Sequence, residues 1–101
     1  MSSFCVAYVT TPPKAAKKLA LAIVKSRLAA CVNIVPAVSS HYRWKGKIES
    51  ARESLLIVKT RKSLMKKLTS FVKANHPYEV PEVIALPITT GNPDYLRWLA
   101  S

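Results

Sequence analysis

The chain is short of glycine, acid and cysteine, and each shortage removes a class of function. Two glycines in 101 residues leave no glycine-rich loop that brings backbone amides around a phosphate. Cys5 and Cys31 lie inside or beside apolar runs without C-x-x-C spacing, which reads as two buried, reduced thiols and not as a disulfide framework or a cysteine metal site. No Ser/His/Asp or Cys/His arrangement is recognisable, so the chain reads as a non-enzyme. The apolar run Phe4 to Val9 is far too short to span a bilayer. No basic segment with a small-residue cleavage site precedes it, so no secretory signal is expected and the expected location is cytoplasmic. The shortage of acid leaves 5 Asp and Glu against 16 Lys and Arg, a formal charge of +11. Such a field attracts anions of any kind, but the lysines are scattered and read as a solvated surface.

What is present is one domain, with half its residues apolar and no low-complexity tract. Residues 4–11 read as a strand stopped by Pro12-Pro13. Residues 13–30 carry Ala16, Leu19, Ala20, Ile23 and Ala30 on one helical stripe, with Lys14, Lys17, Lys18 and Lys25 on the far side. Residues 32–44 are β-rich with Pro36 inside, and Lys45-Gly46-Lys47 turns them into a second run, 48–60. Glu49 to Glu53 breaks that run with polar residues, as a bulge or as a solvent-exposed stretch of strand. Ser63 is the expected N-cap of a helix burying Leu64, Leu68, Phe71 and Val72. Residues 82–88 form the last strand and Asp94 to Ala100 a short terminal helix.

The order β-α-β-β-α-β predicts an α+β, ferredoxin-like split-βαβ sandwich. Proline supports it: the two runs that should be central lack proline, whereas the second and last contain Pro36 and Pro87, tolerable only at edges or bulges. Two helices cover one sheet face only. Yet Leu55 to Val58 and Val83 to Leu86 are apolar at both parities, so the second face needs cover, most simply from other copies of the chain.

The segment His76-Pro77-Tyr78-Glu79-Val80-Pro81-Glu82 gathers an imidazole, a phenol and two acids on stiff backbone ahead of an apolar run. That is what a ligand site needs, and equally what a structural corner needs. Together with Arg27 to Ile34, Tyr42 to Glu49, Glu53 to Thr60, Gly91-Asn92 and Tyr95 to Leu99, it makes the chain resemble the CutA family of divalent-cation tolerance proteins over nearly its whole length. The resemblance implies a compact homotrimer and a role in tolerance of copper and other divalent cations. It also implies a signalling role like that of the PII regulators, and no established enzymatic reaction. Metal-binding members use a cysteine at the end of the first strand and a His-His pair. Here the corresponding positions are Thr10-Thr11 and Asn75-His76.

His76, with Glu79 beside it, is the candidate metal ligand, for copper or zinc. The competing reading is an imidazole bonded to backbone at a helix end. Trp44, Lys59, Tyr78, Glu82, Tyr95 and Trp98 are the candidates for a small-molecule cleft between subunits, or else for interface packing. No cofactor is expected to be obligatory. The rival function is a basic ferredoxin-fold nucleic-acid module, disfavoured because Leu55 to Thr60 carries no aromatic on which a base could stack.

Overall fold

The alternation of β-branched and aromatic residues from Phe4 becomes a strand, and the proline pair that follows converts it into a helix. A computed structural model describes residues 3–101. Strand β1 spans Phe4–Thr11 and helix α1 spans Pro13–Lys25, with Pro13 in its first turn, where no amide donor is needed. Helix α1 buries Ala16, Leu19, Ala20 and Ile23, the stripe expected from spacing. It ends earlier than expected, so Ala30 lies outside it. The Arg27 N–H donates to Val24 O at 3.0 Å and the Leu28 N–H to Ile23 O at 3.1 Å, which closes the helix as a Schellman motif. The residue in the left-handed position is Arg27, at φ 60°. Glycine adopts that conformation freely, whereas a side chain there costs about 1–2 kcal/mol.

Strands β2, Cys31–Trp44, and β3, Lys47–Arg61, form a long hairpin. Its loop is the pair Lys45-Gly46, with φ of 51° and 79°, so both central residues are left-handed. The polar stretch Glu49 to Glu53 is continuous strand, and the irregularity sits on the partner. Val35 pairs with Leu55 and Val38 with Glu53, so β2 carries one extra residue at Pro36-Ala37. Pro36, with no N–H to lose, tolerates the bulge, and Ser54 Oγ donates to its carbonyl at 2.7 Å.

Ser63 does not cap the next helix. It lies in a 3-10 turn, Lys62–Leu64, that leads straight out of β3, and α2 follows over Met65–Asn75 with no side-chain cap bond at its start. Leu68 and Val72 are buried, while Phe71 and Met65 pack partly buried against the core. Strand β4 is Ile84–Pro87, shorter than residues 82–88, because it pairs with β1 only over Cys5 to Tyr8. Helix α3, Pro93–Ala100, starts where the Asn92 side chain accepts the Asp94 N–H at 2.9 Å, and it buries Leu99.

The sheet order is β2-β3-β1-β4, antiparallel throughout, with the proline-free strands central and Pro36 and Pro87 on the edges. One face carries Cys5, Ala7 and Val9 of β1 against Leu56 and Val58 of β3, all buried beneath α1 and α2. The other face carries Val6, Tyr8, Leu55, Ile57, Ile84 and Leu86, and the short helix α3 meets β3 there, with Lys59 Nζ 5.8 Å from the Tyr95 ring centre. Ile84 and Leu86 are 54% and 50% exposed there. The accessible surface of 6937 Å² exceeds the roughly 5,700 Å² usual for a monomer of this mass. The extents of 44 × 25 × 23 Å reflect a chain far from spherical.

Candidate functional site

His76 stands at the end of α2 with an extended backbone, held there because Pro77 follows. Its Nε2 lies 2.7 Å from the Thr10 carbonyl oxygen. A carbonyl only accepts, so Nε2 carries the proton and donates. Nδ1 is then the acceptor, and the Tyr78 N–H supplies its bond at 3.1 Å. The ring is thus a neutral clamp tying the end of α2 to the end of β1, with the Tyr78 ring tilted against it at 4.8 Å.

Tyr78 makes the second tie. Its Oη donates to Glu53 Oε2 at 2.9 Å, and Glu53 is only 5% exposed on β3. Burial first, then this hydrogen bond and the negative charge of Glu53, with a smaller contribution from Tyr42, push the phenol up to about 12. Thr10 Oγ1 donates to Glu82 Oε1 over a long 3.4 Å. The 76–82 loop is therefore fastened across the ends of β1 and β3.

Between this loop and the β2–β3 hairpin lies a cleft of about 680 Å³. Tyr42, Trp44 and Tyr78 supply aromatic wall, and Glu53, Glu79 and Glu82 supply carboxylates. No Lys or Arg lines it, although the chain carries +11. Three of the molecule's five acids meet here, so the cleft is a local negative well in a positive protein. His41, on the hairpin side, sits between Ser39 Oγ and Ser50 Oγ, each at 2.9 Å.

The residues expected at the site fall into two groups. Trp44, Tyr78, Glu79 and Glu82 line this cleft, and His76 braces it from behind. Lys59, Tyr95 and Trp98 gather elsewhere: Lys59 Nζ is 5.8 Å from the Tyr95 ring centre, and Tyr95 lies 5.5 Å from Trp98. Within one chain the two groups do not meet. Glu53, Tyr42 and Thr10 join the site without a local sequence signal that marks them as ligand residues. Glu53 alternates with polar neighbours as a solvated residue would, and only its place opposite the β2 bulge signals otherwise.

As donors for a metal, the groups of a single chain suit hard cations better than copper. Both His76 nitrogens are engaged, Cys5 is buried on the helix side of the sheet, and what remains in the cleft is carboxylate, phenol and hydroxyl oxygen. Among the described residues, no three of His, Cys, Asp and Glu converge on one point. No described helix is long and apolar enough to cross a membrane.

The sequence profile of the family described as CutA1 divalent ion tolerance protein matches residues 5–101. Protein CutA, chloroplastic, of Arabidopsis thaliana is 61% identical over 93% of this chain, and the match covers 52% of that protein. The chain thus spans about half the length of the plant relative. The divalent-cation tolerance protein CutA of Thermus thermophilus is 52% identical over 93% of this chain and 92% of its own length. The crystal structure of CutA1 from Oryza sativa superposes with a TM-score of 0.94 at 56% identity, covering 98% of this chain and 92% of that one. Agreement in profile, in relatives and in three-dimensional structure leads to one conclusion: the chain belongs to the CutA1 divalent ion tolerance family.

Proposed function

We propose that this chain works in divalent-cation tolerance as a homotrimer, with each acidic cleft completed at a subunit boundary and occupied by a cation or a small molecule. The observation that carries the reading is the charge pattern: three carboxylates and no Lys or Arg line the cleft of a strongly basic chain. Glu79 and Glu82 stand at the exposed side of that cleft and are the first oxygen ligands. Glu53 and Tyr78, already bonded to each other, set the shape behind them. His76 acts as a ligand only by giving up the Tyr78 N–H, so copper or zinc binding to one subunit is weak.

A trimer pools the missing donors and brings Lys59 and Tyr95 of one subunit toward the cleft of another. Occupancy at such a boundary changes how subunits pack, which gives a PII-like signalling output a physical basis. Free thiols at Cys5 and Cys31 suit a reducing, cytoplasmic setting.

Calorimetric titration of copper and zinc into the assembled protein tests this. The Glu79→Gln/Glu82→Gln double variant should lose about fivefold or more in affinity, the scale expected when a weak site loses its oxygen ligands. His76→Ala should weaken binding less than the double variant does, because its nitrogens are already in use and only its brace on the loop is lost. Unchanged affinity in the double variant would remove the acidic cleft from the cation site.

A further inference from the structure

A second cleft lies at the other end of the central strands, where Thr60 pairs with Cys5 rather than where Leu55 pairs with Thr10. It has a volume of about 600 Å³, within the usual range for small-molecule sites. Its lining has the opposite chemistry. Lys25 comes from the last turn of α1 and Arg27 from the residues that close it, Arg61 from the end of β3, Ser63 from the 3-10 turn that follows, and Trp98 from α3, with no Asp or Glu among them. The carbonyl end of α1 contributes about half a negative charge, outweighed by three cations.

Two further observations mark this cleft. Arg27 occupies the left-handed helix-closing position, φ 60°, where glycine would sit without strain. A strained residue whose side chain lines a cleft points to a use for that side chain. Within the single chain Trp98 keeps 49% of its surface open, which leaves ring area for stacking. Arg61 is steadied by one Nη2 bond to the Ala100 carbonyl, and its other donors are not used by that bond.

We infer that this cleft binds a small phosphorylated molecule bearing a flat aromatic ring, a mononucleotide being the simplest form. The phosphate is held by Lys25, Arg27 and Arg61, and the ring stacks on Trp98. The site is separate from the acidic cleft and does not rest on the cation reading.

The test is titration of the 101-residue chain with ADP, followed by tryptophan fluorescence and calorimetry. Arg27→Gly removes the guanidinium while relieving the backbone, so the variant should melt no lower than the parent yet bind ADP about tenfold more weakly, as expected for loss of a charged phosphate contact. Trp98→Phe should abolish the fluorescence response, which assigns the signal to Trp98 and not to Trp44. Lys73→Gln, on the exposed side of α2 away from the cleft, should leave affinity unchanged. Equal ADP affinity in Arg27→Gly, an equal loss in Lys73→Gln, or pyrophosphate binding as tightly as ADP would each overturn the assignment.

Discussion

Tyr78 and Glu53 show how two residues distant in sequence fix the cation cleft. The phenol satisfies a carboxylate that burial has stripped of water, and the carboxylate in turn disfavours ionisation of the phenol. The sign of the pH dependence follows. The folded-state value of about 12 lies above the ordinary 10.0, so folding favours the neutral phenol. Its contribution is complete below pH 10 and is lost as pH rises through about 12. Subtracting the phenolate absorbance titration of Tyr78→Phe from that of the parent should therefore reveal one group ionising near pH 12. A difference curve centred near pH 10 would mean that the phenol is neither buried nor bonded to Glu53 as described. The pairing is invisible in sequence, where Glu53 is one polar residue among several and Tyr78 one of four tyrosines. Only the non-local register brings them together. His76 illustrates the converse. The sequence allowed either a ligand or a backbone-bonded imidazole, and the folded geometry uses both nitrogens on backbone.

At the scale of elements, the hairpin that walls the cleft depends on its two-residue turn. An added Cβ at Gly46 would meet nothing within 4 Å, so the whole penalty for Gly46→Ala arises from φ +79°. That penalty should be about 1 kcal/mol, read as a lower denaturation midpoint with an unchanged slope. An undiminished midpoint would show that the turn is not held left-handed. This turn was legible because glycine marks it. The end of α1 was not, because Arg27 occupies the position that glycine usually announces, and the apolar stripe runs on to Ala30 beyond the helix. Ser63 misled for a related reason: a good capping residue has no effect when the chain enters the helix through a 3-10 turn. Strand β1 and both edge prolines were read correctly, since alternation and the missing proline N–H are local constraints that tertiary structure does not override.

The molecule as a whole is one sheet with α1 and α2 on one side and, on the other, an apolar face that only the short α3 meets among the described helices. Phe4, Val6, Tyr8, Leu55, Ile57, Ile84 and Leu86 occupy that face, in a chain with more surface than a monomer of its mass usually shows. Their two-sided apolar pattern was readable in sequence because a solvated face would have alternated. A cleft completed between subunits has meaning only if this face is covered by copies of the chain, so the oligomeric state is the central claim. Sedimentation equilibrium at micromolar concentration tests it most directly. The account predicts a single species of about three times the 11.2 kDa chain mass, and a species at the chain mass itself would contradict it.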